Sequence, residues 1–330
     1  MKVIRRGPEL HQTRWETQPS ILDRLVVGKK REQPGFYRRM FDEDFSQLFN
    51  LRQSSNNKCF EVKSNDSALT ERLLNSTSDR HTAHKLDDKI RDLVETVART
   101  LIRFGTSYCF VQDDGEGSPI RLVFFPSTGM ITAFGALLQW VPKDIENPSN
   151  PNGATGSREI RIIDQSRVMR FVLPKPIERM LSAQNRILAA LDKHDLSTAT
   201  LQSQVSSAHA DGAMLFDMSV WEQQREKALF RATRDTGWNG RDRGSPERSD
   251  FFDCHRLIRF RRNQLILRDD ILDQAGRELT RIGASIHPDY SISIAAANGQ
   301  PSITCLNSLE AKLSAEEVSF NEIIDYCLRC

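Results

Sequence analysis

The clearest hydrophobic pattern lies in residues 86–105. Apolar side chains recur there at helical spacing, with charged side chains on the opposite face. The apolar set is Leu86, Ile90, Leu93, Val94, Val97, Leu101 and Ile102. Gly105 ends the pattern, because glycine readily adopts the left-handed conformation that ends many helices. A β-like "TSYCFV", a turn "DDGEGSP" and a second strand "IRLVFF" follow at once. The sequence therefore predicts a compact unit of helix and hairpin with Gly105 as its hinge.

Aromatic residues give a second pattern near the N-terminus. They stand four apart at Tyr37, Phe41, Phe45 and Phe49, as on one face of a short amphipathic helix. A strand-like "KCFEVKS" follows. Asn65 or Asp66 is then a candidate N-cap for a helix that carries the apolar residues Leu69, Leu73 and Leu74.

The middle of the chain predicts strands followed by a helix. "GMITAFGALLQWVP" reads as extended, and the proline, asparagine and glycine of "KDIENPSNPNGATGS" indicate a loop or a domain boundary. "REIRIIDQSRVMRFVLP" predicts two short strands, and Pro174 and Pro176 suit the first turn of the helix that follows. The serine- and alanine-rich stretch 197–213 is expected to be poorly ordered.

The longest helical pattern runs from Asp250 to about Arg281. Apolar residues stand seven apart along roughly 45 Å of helix, at Phe251, Ile258, Leu265, Leu272 and Leu279. A helix from about Met218 to Thr236 and the loop "GWNGRDRGSPERS" precede it. Short strands around "YSISIA" and "SITCL" and a polar helical tail are expected after it.

These elements predict an α+β fold of mixed helices and short hairpins, with long helices in addition. The composition divides the chain into five consecutive parts. They are an N-terminal charged and helical segment (1–50), an α+β domain (51–142), a linker (143–157), a part with strands, helices and a loop (158–249), and the long helix with short strands and C-terminal helices (250–330).

Composition narrows the class of protein. The 330 residues carry 46 basic and 44 acidic side chains, a formal net charge of +2. Proteins that coat nucleic acid without specificity usually have a strong basic excess, so the near-balance argues against that class but allows a local basic patch. No apolar run reaches the length of a membrane span, and the N-terminus lacks the apolar core of a secretory signal. Six scattered cysteines are typical of a reduced, cytosolic protein with ordinary structural thiols.

No arrangement of residues predicts catalysis, a metal site or a cofactor. His81 and His84 are three apart, but no carboxylate or cysteine follows at ligand spacing. Arg281 and His287 have a spacing found in some metal-free ribonucleases, yet Pro288 and the strand pattern after it do not fit that helical setting. We therefore expect no enzyme activity. A site assembled from residues distant in sequence remains an alternative.

An arginine-rich region, residues 241–268, is the main candidate contact surface. Its members are Arg241, Arg243 and Arg248 in the loop and Arg256, Arg259, Arg261, Arg262 and Arg268 on the long helix. Arg261 and Arg268 fall beside the apolar stripe, whereas Arg256 and Arg259 point elsewhere. Buried arginines need partners, so Arg261 and Arg268 are expected to pair with acids on a neighbouring element or subunit. The exposed arginines could instead contact the phosphates of a nucleic acid.

The order of elements from about Phe60 to Pro176 resembles that of the portal proteins of tailed bacteriophages. The likeness rests on "FEVKSND", the helices "LTERLL" and "IRDLVETVARTLIRFG", the strand "TSYCFV" in the place of that family's Gly-x-Ala-Tyr stretch, and "IRLVFFPSTGMI" after an acidic turn. The strand "SRVMRFVLP", which leads into a helix, also fits. The tail "LEAKLSAEEVSFNEIIDYC" looks like the family's final helix pair.

The resemblance implies a homo-oligomeric ring, a dodecamer in that family, at one vertex of a phage capsid. Such a ring forms the channel for double-stranded DNA during packaging and ejection, and it contacts capsid protein, the packaging motor and tail connector proteins. It belongs to the virion and is present in the host cytoplasm during assembly. The unit around Gly105 would be part of a wing-like domain, and the chain would need no catalysis of its own.

Two features depart from the family. The chain is short, and the segment that should form the clip is hard to locate, since 197–213 is too poor in structure-forming residues to be assigned to it. Portal channels also tend to be acidic inside, so the arginines of residues 241–268 would face neighbouring subunits. The alternative is a nucleic-acid-binding or nucleic-acid-processing protein that uses this arginine-rich region.

Overall fold

The structure is a computed structural model that describes residues 3–5, 7–8, 34–49, 58–75, 85–112, 120–142, 158–207, 218–241 and 249–328. Its helices are α1 (Phe36–Ser46), α2 (Ser67–Asn75), α3 (Leu86–Phe104), α4 (Lys175–Ser207), α5 (Met218–Ala232), α6 (Asp250–Gly283), α7 (Ile303–Ser314) and α8 (Phe320–Leu328). A short 3-10 helix covers Gln165–Arg167. The α+β class predicted from the sequence is confirmed.

The strands form three small sheets. The strands are β1 (Val3–Arg5), β2 (Phe60–Ser64), β3 (Thr106–Gln112), β4 (Arg121–Phe125), β5 (Met130–Ala133), β6 (Ala136–Pro142), β7 (Arg158–Ile163), β8 (Val168–Val172) and β9 (Ile292–Ala296). One sheet has the order β1-β7-β6-β5, a second pairs β2 with β9, and the third has the order β4-β3-β8. All pairs are antiparallel except β1 with β7, which is parallel.

The chain divides into two compact units built from interleaved segments. Unit 1 comprises 1–32, 58–173 and 269–297, and unit 2 comprises 33–57, 174–268 and 298–330. Every strand belongs to unit 1, whereas unit 2 is helical in its described residues. Helix α6 belongs to both, because it begins in unit 2 and ends in unit 1. The division into five consecutive parts stays a prediction.

The helix and hairpin around Gly105 form as the sequence predicts. The apolar face of α3 is buried, including Leu93, Val97 and Leu101. Gly105 ends the helix with φ 76°, and its N–H donates to the Leu101 carbonyl at 2.7 Å. The Gly105 carbonyl accepts from the Leu173 N–H at 3.0 Å, next to the end of β8. Gly105 therefore ends α3 and also bonds to the chain next to the end of β8. Strand β8 pairs with β3 as a third strand of the sheet, a pairing that the hairpin pattern alone did not indicate.

An apolar cluster fills the space between the sheet of β4-β3-β8 and the sheet that holds β5, β6 and β7. It contains Tyr108, Phe125, Met130, Leu137, Ile163 and Val168. Alternation along each strand places these side chains on one face. Because the cluster has members from six strands, it packs β3 to β8 around one core.

Unit 2 packs its helices around aromatic and leucine-rich cores. Phe41 and Phe45 of α1 are fully buried, and their rings contact Trp238 and Phe260 at 5.4 and 5.6 Å between centroids. A second cluster joins the first half of α6 to α7 and α8, with Ile258, Leu265, Leu306, Leu309, Leu313 and Ile323 among its members. Tyr37, Phe41 and Phe45 lie on α1 as predicted, whereas Phe49 follows its end. The two final helices that the resemblance implies are present as α7 and α8.

Several local predictions are wrong. "SITCL" is the start of helix α7, where Ser302 caps the helix by accepting from the Cys305 N–H, so it is not a strand. Helix α4 continues through 197–207, whereas 208–213 lies outside the described residues. Helix α5 ends at Ala232, four residues before the predicted end. Phe251 does not continue the buried stripe of α6, since it is 41% exposed.

Replacing Gly105 by alanine is expected to lower the free energy of unfolding by about 1–2 kcal/mol. An added Cβ would meet no atom within 4 Å, so the cost comes from the positive φ alone. Urea unfolding followed by circular dichroism measures the change. The matched control is Gly299→Ala, also at a positive φ (95°) with open space, but in a turn after β9. A Gly105→Ala chain as stable as the parent would contradict the left-handed helix end.

Candidate nucleic-acid or subunit interface

Arg241 marks the exposed end of the arginine-rich region. Its guanidinium donates to Asp44 Oδ1 at 2.8 Å and to Glu43 Oε2 at 2.9 Å, both on α1. The hydrogen bond to Asp44, followed by that to Glu43, raises the pKa of Arg241 above its ordinary value. The side chain is 52% exposed, so solvent screens the pair and its contribution to stability is small. Two acids next to it leave this position without a net positive charge to offer a phosphate.

Arg256 is buried in a network of hydrogen bonds. Its guanidinium donates to Thr233 Oγ1 at 2.6 Å, to the Thr233 carbonyl at 3.2 Å and to the Trp238 carbonyl at 2.5 Å. It also donates to the Phe230 carbonyl and the Asn239 side chain, and it lies over the Phe230 ring. Arg256 is 5% exposed. The expectation that Arg256, which points away from the apolar stripe, is exposed is wrong, because the segment after α5 covers that part of α6.

A glycine explains how this segment reaches the helix. Gly237 has φ 79°, and a Cβ added there would lie 2.3 Å from the Arg256 carbonyl and 2.8 Å from the Phe260 nitrogen. Only a residue without a side chain permits this approach. In the sequence Gly237 is one of several glycines in a loop, and nothing distinguishes it. Its neighbour Trp238 could have indicated that the loop packs against another element, because a large aromatic residue in a polar loop usually has a packing partner.

Arg261 and Arg268 are buried, as their positions beside the apolar stripe predict. Arg261 donates to the Leu48 carbonyl at 3.1 Å and to Gln264 Oε1 at 2.9 Å. Arg268 donates to the Pro301 carbonyl at 3.2 Å. Gln264 also donates to carbonyls at the end of α1, among them that of Asp44 at 3.1 Å. For Arg261 the expected acid is thus replaced, within the described residues, by amide and carbonyl oxygens.

Arg259 and Arg262 are half-buried and also hold neighbouring elements. Arg259 donates to the Arg234 carbonyl at 3.0 Å. Arg262 pairs with Glu310 of α7, and His255 Nδ1 lies 3.5 Å from the same carboxylate. Burial raises the pKa of Glu310, but the hydrogen bond and charge of Arg262, with a contribution from His255, outweigh it and hold the pKa below its ordinary value. The carboxylate is therefore ionised and shared at neutral pH.

These contacts place three of the arginines, Arg256, Arg261 and Arg268, in the interior of unit 2. Arg256, Arg261 and Arg268 are too buried to meet an external phosphate in this conformation. Arg243 and Arg248 lie outside the described residues. Contact with nucleic acid or a neighbouring subunit by the more exposed members stays a prediction.

Exposed apolar residues, which the sequence did not single out, mark another kind of surface. Phe251 and Phe252 at the start of α6 are 41% and 43% exposed, and Phe320 and Ile324 of α8 are each 38% exposed. The two helix ends adjoin, because Cys254 Sγ lies 3.9 Å from the Phe320 carbonyl. We call these four residues the helix-end patch. In unit 1, Phe134 between β5 and β6 is fully exposed.

No cluster of three or more histidine, cysteine or acidic side chains within the described ranges could hold a metal ion. His81 and His84 are not among the described residues. Arg281 donates to the carbonyls of Gln165, Ser166 and Val168, so its guanidinium braces the 3-10 helix of unit 1. Over the part of the chain that the structure describes, no helix combines the length and apolar character required to cross a membrane.

No protein-family model matches the chain, and no curated protein matches it. Three solved structures show partial likeness, each at 11% identity. A chain from "Virion of native gene transfer agent (GTA) particle" covers 91% of this chain and 96% of its own length, with a TM-score of 0.41. A chain from "Neck of empty GTA particle computed with C6 symmetry" covers 95% and 94%, with a TM-score of 0.43. A chain from "Neck of native GTA particle computed with C12 symmetry" covers 91% and 96%, with a TM-score of 0.41. Since these scores lie below 0.5, the likeness does not establish a function for this chain.

Proposed function

We propose that the chain is the subunit of a portal-like ring at the vertex of a phage-type capsid. In this proposal copies of the chain surround a channel through which double-stranded DNA enters during packaging and leaves during ejection. The chain has a structural role and carries out no catalysis. It contacts other copies of itself, capsid protein, the packaging motor and tail connector proteins.

The observation that supports the proposal most directly is the extent of unit 1. The resemblance to portal proteins covers about Phe60 to Pro176, and the central segment of unit 1 covers 58–173. Within it, α3, Gly105, the β3–β4 hairpin and the "SRVMRFVLP" strand β8 are joined by direct hydrogen bonds. The elements that carry the resemblance therefore fold together as one body, as a building block of a ring requires.

Ring closure sets a second requirement. Each subunit needs two different complementary surfaces, because the interface between neighbours in a ring is heterologous. The chain exposes apolar residues on both units, at Phe134 in unit 1 and at the helix-end patch in unit 2. Basic and acidic residues in near balance, 46 and 44, also suit contacts between copies better than a general affinity for DNA.

The buried arginines also favour the ring over the nucleic-acid-binding alternative. A protein that uses Arg241 to Arg268 as its DNA contact must present these charges to solvent, yet Arg256, Arg261 and Arg268 are buried and Arg241 is paired with two acids. On this geometry the region stabilises unit 2. The virion, with the host cytoplasm during assembly, is the proposed location.

The oligomeric mass of the purified chain tests the proposal. We expect a large, discrete species by light scattering, with a mass several times that of the 37.7 kDa chain. Salt-dependent DNA binding by the same sample distinguishes the alternative, since contacts to phosphates weaken steeply as salt rises. A strict monomer at high protein concentration that binds DNA with a steep salt dependence would contradict the ring and favour the alternative.

A further inference from the structure

Asparagine followed by glycine occurs at three places in the chain, Asn152–Gly153, Asn239–Gly240 and Asn298–Gly299. In such a pair the main-chain nitrogen of the glycine can attack the side-chain amide of the asparagine, because glycine has no Cβ to obstruct the approach. The first pair lies outside the described residues. The other two lie in connections between helices and strands, and they differ in what holds the asparagine side chain.

Asn298 and Gly299 form an exposed turn between β9 and α7. Ala297, directly before the turn, is buried, and its N–H donates to the Cys59 carbonyl at 2.9 Å. Gly299 has φ 95°, and a Cβ added there would meet no atom within 4 Å. Among the residues that the structure describes, none makes a hydrogen bond to the Asn298 side chain. The amide carbon of Asn298 can therefore turn towards the Gly299 nitrogen without breaking a contact.

The side chain of Asn239 is held at both ends of its amide by helix α6. Its Nδ2 donates to Asp253 Oδ1 at 3.2 Å, and its Oδ1 accepts a hydrogen bond from Arg256 Nε. Arg256 is itself only 5% exposed, so this donor has little freedom to move. For the amide carbon to reach the Gly240 nitrogen, both hydrogen bonds must break, and each of them involves a charged group. The fold therefore protects this pair.

We propose that Asn298 is a site of spontaneous deamidation in the folded protein, and that Asn239 is protected from the same reaction. The Gly299 nitrogen forms a bond to Asn298 Cγ and gives up its proton to the leaving amide group, which departs as ammonia when the Cγ–Nδ2 bond breaks. Water then opens the resulting cyclic succinimide at either carbonyl, which yields aspartate or isoaspartate. The reaction needs no oxidant, reductant or enzyme, and the inference does not depend on the proposed ring.

Each product changes the connection from β9 to α7. Aspartate places a negative charge where the chain has a neutral amide. In isoaspartate the main chain passes through the former side chain, so the connection becomes longer by one methylene group and the turn at Gly299 must change. Because this turn is exposed, the aspartate product is expected to leave the stability of the chain nearly unchanged. The modified chains therefore accumulate as folded species with one additional negative charge.

Peptide mapping by mass spectrometry measures both sites in the purified full chain, incubated in mildly alkaline buffer made with heavy-oxygen water. Opening of the succinimide places a heavy oxygen in the new carboxyl group, which separates this deamidation from any that occurs during sample preparation. Fragmentation spectra assign the product to residue 298 or residue 239. We expect Asn298 to deamidate at least about tenfold faster than Asn239, the ratio that corresponds to loss of one hydrogen bond to a charged group.

The same chain unfolded in concentrated urea is the matched control. Both asparagines are followed by glycine and have lost their folded surroundings there, so their rates should agree within about threefold. In the folded chain, Asp253→Ala removes the acceptor of Asn239 Nδ2 and should raise the rate at Asn239 by about tenfold while leaving the rate at Asn298 unchanged. Equal rates at the two sites of the folded parent chain would overturn the inference. So would a rate at Asn298 more than about tenfold lower in the folded chain than in urea.

Discussion

Replacing Glu159 by glutamine is expected to lower the free energy of unfolding by about 3 kcal/mol, the low end of the range for breaking a buried ion pair. Glu159 Oε1 lies 2.7 Å from Arg161 Nε, and both side chains are at most 6% exposed. The pair lies on β7, on the face that also carries Ile163 of the apolar cluster. The substitution keeps the shape of the side chain but replaces the carboxylate that faces the buried Arg161 guanidinium with a neutral amide. Urea unfolding at fixed protein concentration measures the difference.

A surface pair serves as the matched control for Glu159. Arg277 and Asp273 lie 3.1 Å apart on α6, at 67% and 66% exposure, so Asp273→Asn should change the free energy of unfolding by less than about 1 kcal/mol. The double variant Glu159→Gln with Arg161→Met should lose less free energy of unfolding than the sum of the losses in the two single variants, because the two side chains contact each other directly. Equal effects at the buried and exposed acids would contradict the burial of the pair.

Replacing Arg256 by methionine is expected to destabilise unit 2 by about 3 kcal/mol. The change removes hydrogen bonds to the Thr233 and Trp238 carbonyls, at 3.2 and 2.5 Å, and leaves those buried oxygens without this donor. It also removes the stacking of the guanidinium over the Phe230 ring at 4.9 Å. The segment that carries Trp238 should become mobile, so the decrease in tryptophan fluorescence should begin at lower urea concentration.

The control for Arg256 is Arg259→Met, the same substitution at an arginine three positions away on the same helix. Arg259 is only half-buried and donates to the Arg234 carbonyl, so its removal should lower the free energy of unfolding by about 1 kcal/mol. Arg256→Met should not change the affinity for double-stranded DNA by more than about twofold at fixed salt, since its side chain is buried and hydrogen-bonded within unit 2. A large loss of DNA affinity with unchanged stability would restore the nucleic-acid interpretation of this region.

Elements with a strong internal period could be predicted from the sequence. The apolar face of α3 and the aromatic repeat of α1 are regular enough that tertiary packing follows the local pattern. Gly105 was identified because a single residue type at the end of a periodic run satisfies a specific backbone requirement. The predicted end of the long helix α6, about Arg281, lies two residues from its end at Gly283, because thirty residues of one apolar pattern outweigh local exceptions.

Features that depend on a distant partner could not be predicted. Arg256 is buried because residues 230–239 cover it, and nothing within the helix indicates that cover. "SITCL" has strand-like residues, but the Ser302 cap and the packing of Leu306 against α6 make it a helix. The interleaving of the two units depends on β9 pairing with β2, more than two hundred residues away. The exposure of Phe134 likewise depends on strand register.

A negative-stain electron micrograph of the purified full chain tests the subunit-to-subunit account most directly. We predict round particles of uniform size with a stain-filled central hole, since copies joined through two unlike surfaces close into a ring. Small solid particles of the size of one 37.7 kDa chain, in a sample applied from high protein concentration, would contradict it.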